Sequence, residues 1–306
     1  MNLHKDFEVF DAAIRAASRY FNVSTAIIEK DYYVTLFLNE LAKSVPGLVF
    51  KGGTSLSKCH KIINRFSEDI DITLDSEHQS QSNKRNLKYT IIEICNELGL
   101  NLLNENETRS RRDYNCYIID YLARFNFPGL NPQLLVETVF IVKSFPVEIK
   151  QASSMIHDYL KAIGNEDVIN KYELEPFEIR VQTLERTLID KVFAICDYML
   201  DNKTKRNSRH IYDLSQLLTR VVLDNNLKNL IIELRKDRKS GTKCYSAQDG
   251  VSVSLLLQQI IDTNYFKDDY ENVTKKLLSI NVSYEEAIKS LKTIIASGVF
   301  ELNDLN

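Results

Sequence analysis

Two short segments carry side chains whose types and spacing suit phosphate chemistry. The first is Lys51-Gly52-Gly53-Thr54-Ser55 and the second is Asp69-Ile70-Asp71, with Arg65 between them. Two glycines directly after an apolar run let the backbone approach a bulky anion. A helix opening at Thr54 aims its unpaired N–H groups and its positive end at that anion. The Thr54 and Ser55 hydroxyls add donors, and Lys51 and Arg65 stand near enough in sequence to neutralise charge. A positive φ is expected at Gly53.

Asp69 and Asp71 are two apart, and the period of a strand puts both carboxylates on one face. Adjacent carboxylates repel unless a divalent cation lies between them, and such a cation also takes phosphate oxygens. A glycine turn, a helix and then a strand with paired acids is the layout of nucleotidyl transfer. Alone, the first segment reads as an ordinary strand–helix turn and the second as a solvated strand face. Their order and spacing favour the joint reading. Glu137, set among apolar neighbours and costly to bury unpaired, is the candidate metal ligand or general base, with Asp120 as runner-up.

The elements that must position these groups follow from periodicity. Residues 5–19 and 24–44 read as amphipathic helices, the second with Ser24 as N-cap and Pro46-Gly47 as its stop. The run 48–50 reads as a strand, 54–63 as a helix and 67–74 as a strand. Residues 87–99 form another helix ending at Gly99. Two strands, 113–125 and 133–142, flank a hairpin punctuated by Pro128, Gly129 and Pro132. From 152 onward almost everything reads as helix, including 181–200 and 209–222, and the polar tail from Glu301 to Asn306 is expected to fray. The fold class expected is α/β (α+β), a mixed-sheet lobe over 1–150 with N-terminal helices and a mainly helical lobe over 151–306.

The 306 residues, 44% of them apolar and 26% charged, suit a globular chain of about two domains. A net charge of −3 gives no global case for nucleic-acid binding, so any basic surface must be local. Three local clusters exist: Arg109, Arg111 and Arg112; Lys203, Lys205, Arg206 and Arg209; and Arg235, Lys236, Arg238 and Lys239. Five scattered cysteines without a C-x-x-C pair argue against a disulfide framework and a zinc ribbon. With no signal-peptide pattern and no run of membrane length, a cytoplasmic protein is expected, with no membrane contact.

The segments KGGTSLSK and RFSEDIDI resemble the AbiEii/AbiGii toxin family of nucleotidyltransferases, within the DNA-polymerase-beta-like superfamily. Three further segments are similar to its pattern: Glu29-Lys30-Asp31-Tyr32; Thr183-Leu184-Glu185 with Lys191; and Arg209-His210-Ile211-Tyr212-Asp213-Leu214, where His210 replaces the usual acid. The resemblance implies an NTP substrate, Mg²⁺ (or Mn²⁺), a nucleotide held in a cleft between two lobes, and an RNA acceptor, tRNA in some members. It implies a toxin of a bacterial toxin–antitoxin or phage-defence system, with an antitoxin as partner. Carried over, Gly52, Gly53, Thr54 and Ser55 hold phosphate, Asp69 and Asp71 hold metal, Lys191 contacts the triphosphate, and Asp213 is the essential acid. Glu29, Lys30 and Asp31 either brace the site or form a solvated face. The competing readings are a catalytically silent nucleotidyltransferase fold that binds a nucleotide or partner, and a transferase or kinase acting on protein.

Overall fold

The structure is a computed structural model describing residues 1–127, 130–241 and 243–301. The expected turn residues Pro128 and Gly129, and the tail beyond Glu301, lie outside the described residues. In the first half the elements are α1 (Phe7–Phe21), α2 (Thr25–Ser44), β1 (Leu48–Lys51), α3 (Gly52–Lys58), β2 (Ile70–Leu74), α4 (Gln81–Leu98), β3 (Asn101–Leu102), β4 (Tyr114–Asp120) and β5 (Gln133–Val139). There follow β6 (Val147–Ala152), α5 (Met155–Ala162), α6 (Glu166–Lys171), β7 (Phe177–Gln182), α7 (Leu184–Leu200), α8 (Arg209–Leu217), α9 (Asn225–Arg238) and α10 (Val253–Asp262). Among the elements that follow are a π-helical turn, Tyr270–Thr274, and a last helix, Lys289–Ser297.

Two compact units emerge. The first comprises Met1–His60, Ser67–Phe140 and Val147–Val181. The second comprises Lys61–Phe66, Ile141–Pro146 and the chain from Gln182 onward. The expected boundary at 150/151 falls inside β6.

Among the described residues, the seven strands form one mixed sheet in the order β3-β4-β5-β2-β1-β7-β6. β1 pairs antiparallel with β2, and β2 pairs parallel with β5. The expected hairpin is present as the antiparallel pair β4–β5. One face of the sheet is apolar: Ile70, Ile72, Leu134, Val136, Tyr117 and Ile119 are all buried in the core shared with Phe37, Leu38 and Leu41 of α2 and Ile91 of α4. The alternate residues therefore point to the other face, and Asp71 and Glu137 are among them.

Three expectations need correction. The helix after the glycines is short, α3 alone, because Cys59 and His60 both donate to the Ser55 carbonyl and Lys61 turns left-handed at a φ of 53°. β2 starts at Ile70 rather than Ser67, because the residues before it are held by side chains instead of a ladder. The region after 152 is not all helix: β7 lies there, with Phe177, Ile179 and Val181 alternating as a strand does. β6 is the outermost strand in the sheet order, and its Glu148 and Lys150 suit an edge.

The second unit packs Leu188, Val192, Phe193 and Ile195 of α7 and Ile211, Leu214 and Leu217 of α8 into its interior. No helix among the described residues is long and apolar enough to cross a membrane. None of the five cysteines is in a disulfide; Cys116 is half-buried and the others are buried.

Candidate active site

In the first unit the glycine turn and the acids are neighbours. Gly52 takes a φ of +77°, and a Cβ placed there would lie 1.9 Å from Asp71 Oδ2. Only glycine satisfies both demands, a left-handed backbone and the Asp71 carboxylate resting against it. The positive φ expected at Gly53 thus belongs to Gly52, and Gly53 is not among the residues with positive φ. Lys51 stands opposite Asp71 in the β1–β2 register.

Thr54 and Ser55 behave differently from expectation. Both are buried; the Thr54 hydroxyl donates to Ser67 Oγ at 3.0 Å and the Ser55 hydroxyl to the Gly52 carbonyl at 2.9 Å. Their hydroxyl protons fix the turn and the approach to Asp69 rather than reaching outward.

Glu137 is the β5 register partner of Asp71, and Cys116 of β4 is the partner of Glu137. The row across the sheet therefore runs Lys51, Asp71, Glu137, Cys116. The Cys116 thiol is pushed up to about 11, by burial first and then by the charges of Glu137, Asp69 and Asp71. Asp120 sits four residues further along β4, opposite Gln133, and its carboxylate accepts from the Leu122 N–H at 2.9 Å. Four strand residues amount to about 13 Å, so Glu137 and not Asp120 accompanies Asp71.

Carboxylate oxygens such as those of Asp71 and Glu137, on one face of adjacent strands, are donors of the kind a hard divalent cation takes. Among the described residues, no group of three His, Cys, Asp or Glu side chains stands ready as a metal cluster. The fit is one of donor chemistry and shared face.

The charged triplet of α2 braces this arrangement and is not a solvated face. Glu29 and Lys30 are fully buried. Glu29 accepts from the backbone N–H groups of Arg124 and Phe125 at 2.9 and 3.0 Å. Lys30 donates to Glu68 at 2.5 Å and to the Asn131 carbonyl at 2.7 Å. Asp31 accepts from Lys58, the last residue of α3, at 2.6 Å and from the Met155 N–H at 2.7 Å. One helix thus holds the residue before Asp69 and the far end of the helix after the glycines.

Two predictions arise here. Gly52→Ala forces a β-carbon into the space of the Asp71 carboxylate at a φ that costs about 1 kcal/mol or more. NTP affinity, read by equilibrium binding, should fall at least about tenfold; an unchanged dissociation constant would make the turn purely structural. Lys30→Met removes two charge-assisted bonds and should lower stability by about 2 kcal/mol in urea unfolding. With Glu68 released, turnover should also fall about tenfold at a temperature where the variant is folded. Full turnover there would deny the bracing role.

The second unit holds a separate buried cluster. Asp213 is fully buried on α8 and receives Arg65 as a fork, Nε to Oδ1 at 2.7 Å and Nη2 to Oδ2 at 2.8 Å. Lys191 of α7 adds a 2.6 Å bond to Oδ2. Burial works to raise the Asp213 pKa, but the Arg65 guanidinium and the Lys191 ammonium outweigh it and hold the carboxyl well below its ordinary range. Burial pulls Lys191 down. Arg65, expected as a phosphate neutraliser, instead has its fork turned into Asp213. The half-buried His210 stacks on Tyr198, with ring centroids 5.6 Å apart, and its Nδ1 lies 3.5 Å from Lys191 Nζ. Burial and the adjacent Lys191 push its pKa down, which keeps the imidazole neutral.

Thr183 caps α7 by accepting from the Arg186 N–H, whereas Glu185 is exposed. Of the basic clusters, the one on α9 is partly structural. Arg235 donates to the carbonyls of Ala247, Gln248 and Val251, and Arg238 pairs with Asp190 and Asp197. Lys203 pairs with Asp201 at 2.5 Å.

Sequence reasoning missed Tyr114 and Cys116. Their spacing along β4 was visible, but the register that sets Cys116 opposite Glu137 was not.

A family model described as nucleotidyl transferase AbiEii toxin, type IV TA system, matches residues 36–292. Among solved structures the chain is similar to MenT4, a nucleotidyltransferase toxin from Mycobacterium tuberculosis, with a TM-score of 0.54 and 16% identity. That similarity covers 96% of this chain and 90% of that one, and at this identity it is a likeness of fold. No curated protein matches the sequence.

Proposed function

The chain belongs to the AbiEii family of nucleotidyltransferase toxins of type IV toxin–antitoxin systems, and on that footing we propose that it moves a nucleoside monophosphate from an NTP to a hydroxyl of RNA, with tRNA as the acceptor class. The observation that carries this reading is the row of Asp71 and Glu137 on adjacent strands, with Gly52 packed on the Asp71 carboxylate. Asp69, Asp71 and Glu137 would hold Mg²⁺ or Mn²⁺, which when bound orients the triphosphate and offsets its charge. The backbone of Gly52 and Gly53 admits the phosphates closely. The acceptor oxygen forms a bond to the α-phosphorus, the bond from that phosphorus to the bridging oxygen breaks, and pyrophosphate leaves. Glu137 receives the hydroxyl proton. Lys191 and Asp213, which the resemblance makes a triphosphate contact and an essential acid, pair with each other, and Asp213 also with Arg65, inside the second unit.

Such a protein works in the cytoplasm, where NTP and RNA are at hand, and an antitoxin is its regulatory partner. Incubation with each α-labelled NTP, Mg²⁺ and total RNA tests the reading. Label in RNA from one or more NTPs supports it. Label in protein alone would move the acceptor to a different class.

A further inference from the structure

We propose that the outward face of β4 and the loop before it form the acceptor subsite, where the terminal base of a single-stranded RNA end stacks on Tyr114 and its phosphates meet Arg109, Arg111 and Arg112. This deepens the reading above and rests on RNA being the acceptor.

Tyr114 opens β4 and is 48% exposed as a residue, although its hydroxyl is engaged, donating to Glu137 Oε1 at 3.2 Å. An aromatic ring left in solvent while its tip is tied to a site carboxylate presents a face and fixes its direction. A base stacked there lies one tyrosine ring from Glu137, the residue assigned to the acceptor's proton. Stacking accepts any base, since every base has a π-face.

The loop that leads into Tyr114 is rigid and basic. Buried Asn115 grips it from both sides, its Oδ1 accepting from the Arg109 N–H at 2.8 Å and its Nδ2 donating to the Arg109 carbonyl at 3.0 Å. Lys88 of α4 donates to the Glu105 and Thr108 carbonyls, both at 3.1 Å. Arg112 donates to the Glu107 carbonyl at 3.0 Å, which sets its direction. Arg109, Arg111 and Arg112 are all exposed. In this stretch the three arginines with Lys84 and Lys88 outnumber Glu105, Glu107 and Asp113, and Lys84 pairs with Asp113 at 3.2 Å. The loop and these lysines are therefore net positive on a protein that is net negative, beside the Glu137 carboxylate that Tyr114 holds. Guanidinium groups beside an aromatic face suit a nucleic-acid strand better than a protein hydroxyl, which needs no stacking platform.

The test uses the whole protein and a single-stranded RNA that wild type labels. Tyr114→Ala should raise the acceptor KM about 10- to 100-fold while the NTP dissociation constant stays unchanged. Tyr114→Phe keeps the ring and should keep the acceptor KM within about twofold, lowering kcat through the lost hold on Glu137. Arg111→Ala with Arg112→Ala should lower the slope of log RNA affinity against log salt by about 0.7 for each phosphate that is no longer neutralised. An unchanged acceptor KM for Tyr114→Ala, with wild type still labelling RNA, would overturn the subsite and leave the RNA reading standing. Label in protein and none in RNA with wild type would overturn both.

Discussion

Asp71→Asn should reduce nucleotide transfer by about a thousandfold or more while the folded protein remains as stable as wild type, within about 0.5 kcal/mol. Asparagine keeps the shape of the side chain, so the packing against Gly52 survives and only the charge is removed. Asp71 stands in register with Glu137 and lies two residues from Asp69. Neutralising one of three like charges relieves repulsion in the protein without a cation. Stability and activity should therefore part company, which a substitution in the core would not produce. The measurement is transfer rate and urea midpoint on the same preparation. Transfer within tenfold of wild type would remove Asp71 from the reaction.

Asp213→Asn should have the opposite profile, a large loss of stability. Its carboxylate is fully buried and offsets both Arg65 and Lys191. Breaking a buried pair leaves uncompensated charge and costs about 3–5 kcal/mol. The pH dependence has a definite sign. The Asp213 pKa is depressed in the folded protein, so its contribution is present above the ordinary carboxylate value and fades as pH falls through the depressed one. The gap between wild type and Asp213→Asn should be widest near neutrality and narrow progressively in acid. Lys191→Met, which leaves the Arg65–Asp213 fork in place, should cost less. Urea unfolding of the three proteins between pH 7 and pH 3 checks this, and a gap that widens in acid would contradict it.

Much of the site was legible because its local signals are one-dimensional. The glycine turn and the spacing of Asp69 and Asp71 follow from patterns along short runs, the preference for Glu137 over Asp120 from its apolar flanks, and register sets Glu137 beside Asp71. What escaped depends on partners distant in the chain. Lys30 looks like any helical lysine until Glu68 and Asn131 meet it, 38 and 101 residues away. Arg65 sits next to the phosphate segment in sequence, yet its partner is Asp213, 148 residues on. Thr54 and Ser55 were read as outward donors because a hydroxyl at a helix start has two uses, and burial chose the inward one. β7 ends at Gln182, inside the helix expected over 181–200, because the capped helix that follows begins only at Leu184.

The most direct test of the central claim follows the two ends of the triphosphate. Purified protein is incubated with RNA and Mg²⁺, once with the NTP labelled at the α-phosphate and once at the γ-phosphate. Transfer of a nucleoside monophosphate predicts α-label in RNA, γ-label in pyrophosphate, and neither in the Asp71→Asn reaction. Label from the γ-position on the acceptor would make the protein a kinase, and undiminished α-labelling by Asp71→Asn would place the chemistry elsewhere.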